Sequence, residues 1–258
     1  MNCGTTTEEK LGKADLHVHS ATGDGMASVL EILDHVEESG ELDVISITDH
    51  DEVRGSLEAR EIAARKNYRL QVVVGSEITT FEGHLLALFI EKPIRMFQSL
   101  EKTIIAVHEQ NGLAVVPHPM SWLTLSVGHR LFLRVMNSPD PRVYFDGIEM
   151  FNPSIAGRVA HTRAREFNAS VLQLAELGGS DAHQLQLIGT AHTIFKGSSA
   201  EELKRGLRER TTKAAGEFWT ANDHLQGLAG QQVKAMIIHP GQKIYRAIGS
   251  IWNQEPQR

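Results

Sequence analysis

The chain has 258 residues, of which 41% are hydrophobic and 22% are charged, a composition typical of a globular protein with a substantial apolar core. The formal net charge is -6 and the basic residues are dispersed, which argues against long nucleic acids as partners. The single cysteine, Cys3, excludes a disulfide framework, and no stretch reaches the ~20 apolar residues of a membrane span. We therefore expect a cytoplasmic protein.

Residues 1–12 lack an apolar core, and we expect them to form a leader before the folded domain. The first predicted strand covers residues 15–19 and carries His17 and His19. Alternate residues of a strand point to the same side, so both imidazoles can reach one space. Imidazole is a common ligand of zinc-like cations, although such a pair alone is weak evidence for a metal site.

Strands and helices then alternate along the chain. Strands are predicted over 43–47, 70–74, 85–90, 113–116, 145–150, 171–177 and 190–195, and helices over 29–40, 56–66, 99–110, 130–136, 157–167 and 198–210. Alternation over about 200 residues predicts parallel strands joined by helical crossovers. Because the chain has no glycine-rich dinucleotide or P-loop fingerprint, the pattern favours an α/β barrel over an open nucleotide-binding sheet.

Ligand-type side chains recur where the predicted strands end or begin. In a barrel the carboxyl ends of the strands converge on one face, so these groups are expected to meet there. They number nine: His17, His19, Asp24, His50, Glu77, His84, His118, Asp181 and His183. This number exceeds a single four-coordinate site, and a carboxylate such as Glu77 can bridge two cations. The sequence therefore predicts two or three divalent transition metals, and nitrogen and oxygen donors without sulfur suit zinc, manganese or iron.

The motifs that carry these residues resemble those of the PHP (polymerase and histidinol phosphatase) family. They are DLHVHS at 15–20, TDHD at 48–51, GSE at 75–77, HLLAL at 84–88, HP at 118–119 and GSDAH at 179–183. The resemblance covers about residues 13–215. It implies a distorted (β/α)7 barrel with a trinuclear metal centre at the carboxyl ends of the strands.

The resemblance also implies how the metals are held. One metal would bind His17, His19, Glu77 and Asp181; a second would bind Glu77, His84 and His118; and a third would bind Asp24, His50 and His183. The implied activity is phosphoester hydrolysis by metal-activated water, with Glu77, Asp181 and His183 as the catalytic residues. Asp24 occupies a position at which some members have histidine. Aspartate at this position is typical of the nucleotide-phosphatase-like and exonuclease-like branches.

Substrate choice remains open at this stage. In the family branch that acts on nucleotides and short oligonucleotides a sizeable insertion domain often covers the barrel mouth, whereas only 34 positions separate His84 from His118 here. The leading hypothesis is a metal-dependent phosphoesterase acting on a small phosphorylated metabolite or nucleotide. The alternatives are an exonuclease or oligonucleotide phosphodiesterase, a histidinol-phosphate-type phosphatase and a non-catalytic binding module.

Several residues are candidates for supporting roles around this centre. Arg158, Arg130 and Arg134 could reach a substrate phosphate from loops or the irregular segment 121–142. Asp49 or Asp51 could orient a ligating imidazole, and capping of their own loop is an equal alternative. The barrel domain is expected over residues 13–219.

Residues 220–258 are expected to form an amphipathic C-terminal tail. Apolar residues recur there at helical spacing, among four basic and two acidic side chains over residues 221–258. Such a stripe needs a surface to cover. The alternatives are packing on the chain's own domain and docking on a second subunit in a homo-oligomer.

Overall fold

The structure is a computed structural model, and it describes residues 10–220 and Asp223. Its strands are β1 (Leu11–Val18), β2 (Val44–Ile47), β3 (Gln71–Val72), β4 (Gly75–Thr79), β5 (His84–Leu88), β6 (Leu113–Val116), β7 (Gly147–Phe151), β8 (Ala175–Gly178), β9 (Ala191–Lys196) and β10 (Lys213–Gly216). Its α-helices are α1 (Val29–Ser39), α2 (Arg54–Lys66), α3 (Leu100–His108), α4 (His129–Met136), α5 (Ile155–Arg158), α6 (His161–Phe167) and α7 (Ala200–Glu209). The chain is therefore an α/β protein.

These strands form two mixed sheets of five strands each. The first has the order β10-β9-β1-β2-β3 and the second the order β4-β5-β6-β7-β8. Pairing is parallel from β1 through β3 and from β6 through β8, and antiparallel for β9 with β1 and β10 and for β5 with β4 and β6. Single bridges, Val18 with Ala182 and His50 with Glu77, connect strand ends of the first sheet to the second sheet and the segment that follows it.

The prediction of a distorted (β/α)7 barrel is wrong, because the described residues form two sheets and no closed barrel. The prediction assumed that every strand returns through a helical crossover, which needs about a dozen residues or more. Residues 80–83 alone connect β4 to β5, and this short turn forces the two strands to pair antiparallel. An antiparallel hairpin thus stands where the alternating pattern had indicated a crossover.

The apolar core has three parts that follow from this layout. Leu16, Leu86, Val115 and Phe195 belong to a cluster to which both sheets and α7 contribute. A second cluster packs the first sheet against α1 and α2, and a third packs the second sheet against α3, α4 and α6. Buried apolar side chains supply the main stabilisation of such a layered fold.

Helix ends agree with the sequence to within a residue at two helices. Ser28 and Glu31 form the predicted capping box of α1, and Gly40 ends the helix at φ 65°. At α7 the capping box is made by Ser199 and Glu202, one residue beyond the predicted cap. The first two residues of the predicted strand 171–177 belong to a π-helix, Asn168–Leu172. The Asn168 side-chain amide bonds the backbone of Leu174, and the strand begins only at Ala175 of β8.

None of the helices in the described part of the chain is long and apolar enough to cross a membrane. The predicted leader over residues 1–12 and the tail over residues 220–258 lie almost entirely outside the described residues.

Candidate metal centre

All nine predicted ligand residues meet in one cluster where the ends of strands from the two sheets adjoin. His17 belongs to β1, and His19 and Asp24 follow it; His50 follows β2, Glu77 lies within β4, His84 begins β5, His118 follows β6, and Asp181 and His183 follow β8. Backbone bonds from Asp181 N to the His17 carbonyl (2.8 Å) and from His19 N to the Ala182 carbonyl (2.9 Å) join β1 to the segment after β8. The local pairing therefore fixes where these ligands lie.

The Glu77 carboxylate is the centre of the cluster and is 1% exposed. Five imidazoles surround it: His17 Nε2 and His50 Nδ1 lie 3.2 and 3.3 Å from Oε2, His19 Nε2 lies 3.4 Å from Oε2, and His84 Nδ1 and His118 Nε2 lie 2.9 and 3.1 Å from Oε1. A carboxylate with imidazoles on both oxygens has the arrangement of a bridging metal ligand.

Two further carboxylates extend the cluster beyond Glu77. Asp181 Oδ1 lies 3.4 Å from His17 Nε2 and 3.3 Å from His19 Nε2. Asp24 Oδ2 lies 3.2 Å from His183 Nε2, and its Oδ1 lies 3.6 Å from His19 Nδ1. The His19 and His183 rings stack with centroids 4.3 Å apart.

Several nitrogen and oxygen atoms of the cluster are placed to bind cations and form no hydrogen bonds with one another. Among the described residues, His19 Nδ1 and Nε2, Asp24 Oδ1, His84 Nδ1 and His118 Nδ1 are buried without a hydrogen-bond partner. His84 Nδ1 is only 2.9 Å from Glu77 Oε1, yet the two atoms do not form a hydrogen bond. Buried polar atoms without partners are costly, so several of them directed into one space indicate ligands of a shared ion.

Three groups of side chains place one donor atom each within 4.8 Å of one another, which is close enough to share a cation. They are His17, His19 and Glu77; His19, Asp24 and His183; and His50, Glu77 and His84. The metal sites implied by the family resemblance place His50 with Asp24 and His183. In the structure, His50 instead lies with Glu77 and His84.

Charge in the cluster is balanced between acids and imidazoles. Burial favours the protonated form of Glu77, but the neighbouring His50, His84 and His17 outweigh it and hold the pKa of Glu77 well below its usual range. Burial likewise opposes charge on His183, but its hydrogen bond to Asp24 and the nearby Asp181 raise the pKa of His183 to about 9. The buried carboxylates thus require positive charge, which a proton or a metal ion can provide.

His50 differs from the other imidazoles in its protonation. Burial lowers the pKa of His50 to about 4, so its ring is neutral near pH 7 and can donate a lone pair to a cation. With 22% of its side chain exposed, His50 is also the most solvent-accessible of the imidazoles in the ion pairs of the cluster. The cluster therefore opens to solvent on the side of His50.

Sequence reasoning missed Glu149, a buried carboxylate of β7 that contacts the cluster from behind. Its Oε1 accepts a hydrogen bond from His17 Nδ1 at 2.8 Å, and its Oε2 accepts one from the His118 backbone N–H at 2.7 Å and another from Asn152 Nδ2 at 2.9 Å. The only signal was one acidic residue within the apolar run 147–151. Glu149 orients two predicted ligands without being one of the nine.

The two candidate orienting aspartates contact neighbouring loops. Asp49 accepts hydrogen bonds from Ser20 N at 2.7 Å and Ser20 Oγ at 2.6 Å, and burial raises its pKa to about 6. Asp51 accepts from Thr79 N at 2.7 Å and from Thr79 Oγ1 at 3.0 Å. These bonds of Asp49 and Asp51 fasten neighbouring segments that carry ligands.

The three arginines proposed as phosphate contacts lie in different surroundings. Arg134 forms ion pairs with Glu82 and Glu101 at 2.9 and 2.7 Å. The Arg158 guanidinium lies 5.2 Å from the ring centroid of Phe218, and Arg130 is exposed on α4. Their predicted contact with substrate stays a prediction.

Comparison with known proteins agrees with the family resemblance of the sequence motifs. A family model described as PHP-associated matches residues 159–212. The uncharacterized protein MJ1587 of Methanocaldococcus jannaschii is 37% identical in an alignment over 148 residues, and the match covers 54% of this chain and 81% of that protein. The chain belongs to the PHP family.

Solved structures share the fold at low sequence identity. A two-domain protein of Bacteroides vulgatus, which contains a predicted PHP-like metal-dependent phosphoesterase, has a TM-score of 0.62 and 21% identity over 81% of this chain. PsfC of Pseudomonas syringae has a TM-score of 0.58 and 17% identity, covering 88% of this chain and 99% of its own. The lesion-specific endonuclease PfuEndoQ of Pyrococcus furiosus has a TM-score of 0.51 and 12% identity over 84% of this chain. This chain covers 66% of the Bacteroides protein and 66% of PfuEndoQ.

Proposed function

We propose that the protein is a metal-dependent phosphoesterase that hydrolyses a small phosphorylated metabolite or nucleotide. The observation that carries the proposal is the Glu77 carboxylate enclosed by five imidazoles, several of whose nitrogens are buried without hydrogen-bond partners. Such a donor set has no use in a hydrophobic core. It suits two or three zinc, manganese or iron ions.

Ligation would divide between the two sides of Glu77. His17, His19, Glu77 and Asp181 would hold one cation, and His50, Glu77, His84 and His118 would hold a second. Asp24 and His183, beside His19, would hold a third. When bound, such cations lower the pKa of water and neutralise the oxygens of a phosphoryl group.

The chain's own residues would keep this centre ordered. Glu77 and Asp181 supply negative charge that holds cations close together, and His183 joins Asp24 at the edge of the cluster. Glu149 holds His17 through Nδ1, which leaves Nε2 directed at Glu77 and Asp181. A phosphate would approach from the side of His50, where the cluster is open to solvent.

A substrate screen tests the proposal directly. We expect turnover of a phosphomonoester by the purified full chain with Mn²⁺, Zn²⁺ or Fe²⁺ in a panel that also contains histidinol phosphate, cyclic nucleotides and short oligonucleotides. Glu77→Gln and Asp181→Asn should each lower kcat by at least ~100-fold, since perturbing outer partners of metal ligands already causes losses of that order. His35→Gln, an exposed change on α1, is the matched control and should retain activity.

Two results would contradict the proposal. The first is no turnover of any panel member with any of the three metals, which would favour a non-catalytic module. The second is near-wild-type turnover by Glu77→Gln. Elemental analysis after gentle purification adds an independent measurement, for which we expect two or three transition-metal ions per chain, and a reproducible value below one would contradict the metal assignment.

A further inference from the structure

Two exposed aromatic side chains lie beside the turn that joins β4 to β5. Among the described residues, Phe81 is one of the two most exposed large apolar side chains at 71%, and Phe97 is 52% exposed. Phe81 and Phe97 stack on each other with ring centroids 6.3 Å apart and planes inclined by 26°. Exposed apolar rings in mutual contact form a surface patch of the kind that marks a binding site.

Backbone pairing places this aromatic pair beside His84. Thr79 at the end of β4 lies directly opposite His84 at the start of β5, and Phe81 lies in the turn that joins them. The Phe97 N–H donates a 2.8 Å hydrogen bond to the Thr79 carbonyl. Both rings are therefore carried by backbone that adjoins a predicted metal ligand.

The turn that carries Phe81 is held rigidly. Thr80 Oγ1 donates to the Gly83 carbonyl at 2.6 Å and accepts from the Gly83 N–H at 3.1 Å. The Glu82 carboxylate accepts from Leu100 N at 2.9 Å and from Arg134 Nη2 at 2.9 Å, which ties the turn to α3 and α4. A rigid exposed ring loses little conformational entropy on binding, as a preorganised contact requires.

Phe97 adopts a strained backbone conformation to take part in the pair. Its φ is 52°, in the left-handed region that bulky residues avoid. Half of its surface faces solvent, so burial in the core does not compensate for the strain. Strain of this kind, held by a hydrogen bond and located beside a candidate active site, is typical of functional positions.

We propose that the Phe81–Phe97 pair is a stacking surface for the nucleobase of a nucleoside monophosphate whose phosphate binds at the metal centre. This inference rests on the proposed function and narrows its substrate class. Phe81 lies two residues beyond Thr79, a chain length of about 7 Å at most. Thr79 is itself paired with His84 at about 5 Å between Cα atoms, so the backbone of Phe81 lies within about 12 Å of that of His84. A base connected to its phosphate by a pentose suits such an offset, whereas a ring attached directly to the phosphate would lie closer to His84.

The test compares esters that differ in the ring. Adenosine 5′-monophosphate carries pentose and base, ribose 5-phosphate lacks the base, and phenyl phosphate carries a ring without the pentose. Phe81→Ala and Phe97→Ala should each raise KM for adenosine 5′-monophosphate by roughly tenfold and change kcat little, the loss expected from removing one stacking partner of a base. KM for ribose 5-phosphate should not change.

Two further variants and one inhibitor sharpen the comparison. Phe81→Tyr keeps the ring and should keep the wild-type KM, and Leu30→Ala removes an exposed apolar side chain from α1 as the matched control. Adenosine should compete with ribose 5-phosphate in the wild type and should lose potency by the same factor in Phe81→Ala. Thermal unfolding of each variant verifies that it folds.

Each other outcome overturns the stacking proposal in a recognisable way. If Phe81→Ala and Phe97→Ala change KM for ribose 5-phosphate as much as for adenosine 5′-monophosphate, or leave KM for adenosine 5′-monophosphate unchanged, the pair does not recognise a base. The proposed hydrolase function is not contradicted by either result. An effect confined to phenyl phosphate assigns the surface to a directly attached ring. A lower molecular mass of Phe81→Ala in light scattering shows that a second copy covers the pair, and no turnover of any ester removes the proposed function and this inference together.

Discussion

Glu149 determines which nitrogen His17 presents to the centre. The Nδ1–H of His17 donates a hydrogen bond to the Glu149 carboxylate, so the lone pair of His17 Nε2 remains for a cation near Glu77 and Asp181. The second carboxylate oxygen of Glu149 accepts two further hydrogen bonds, one of them from the backbone N–H of His118. One carboxylate therefore orients ligands on both sides of Glu77.

Glu149→Gln should weaken metal binding while the protein stays folded. The amide has only one oxygen, so its NH₂ group must face at least one of the three donors that the carboxylate now accepts. We expect an affinity for Mn²⁺ about 10- to 100-fold lower, measured by calorimetric titration of protein freed of metal. Glu166→Gln on the exposed surface of α6 is the control. Equal affinities of Glu149→Gln and wild type would show that Glu149 does not position the ligands.

Residues of the cluster could be predicted from sequence where their spacing carries information. His17 and His19 alternate on a strand, and Asp181 and His183 repeat that spacing after an apolar run. Glu149 could not be assigned, because a single acidic residue in a strand gives no partner to look for. Its role depends on His17, 132 positions away in the chain, and only the pairing of sheets brings the two together.

At the scale of elements, most strands and helices could be predicted and their directions could not. Apolar runs and capping residues identify β2, β6 and α1 to within a few residues. Strand direction depends on the length of each connection, and the turn between Thr79 and His84 is too short for the crossover that alternation suggested. This one turn also brings the aromatic pair beside His84.

The end of α3 is joined to the loop before β7 by His108. Its Nε2 lies 2.9 Å from Asp146 Oδ2 and its Nδ1 lies 2.7 Å from the Arg142 carbonyl oxygen. Both partners are acceptors, so both ring nitrogens carry hydrogens and the ring is an imidazolium. Burial opposes this charge, but the hydrogen bonds to Asp146 and Arg142 outweigh it and raise the pKa of His108 above 6.5.

This contact predicts a pH-dependent contribution to stability. Because the folded pKa of His108 is raised, its stabilisation is complete below about pH 6.5 and is lost as the pH rises through the folded value. His108→Gln should therefore lower the free energy of unfolding more at about pH 5.5 than at about pH 9 in urea titrations. His192 is the control, because burial lowers its pKa and His192→Gln should show the opposite trend. A pH-independent difference for His108→Gln would contradict the assignment.

For the whole molecule, the predicted site and the predicted fold had different outcomes. The nine candidate ligands converge, although the described residues do not form the barrel that was expected to bring them together. Convergence requires only that the ends of a few strands adjoin, and single bridges such as that between His50 and Glu77 achieve this. Closure of a barrel requires continuous pairing around the whole sheet, which composition and periodicity do not encode.

The position of the cluster predicts that metal binding stabilises the entire fold. His17 belongs to the first sheet and Glu77 and His84 to the second, so a cation held among them connects the two sheets. Without it, buried carboxylates depend on protonated imidazoles such as His183 for positive charge, and a cation would replace those protons.

We therefore expect Mn²⁺ to raise the midpoint of thermal unfolding of protein treated with chelator, by an amount that grows with concentration. At 100 times the dissociation constant, the added free energy of unfolding is about 2.7 kcal/mol. The stabilisation should be greater at pH 8 than at pH 6, because metal must displace protons from the ligands. Glu77→Gln should lose most of this shift and His35→Gln should keep it. If protein proven by elemental analysis to contain metal unfolds at the same midpoint as the chelated form, the cluster does not hold the two sheets together through a cation.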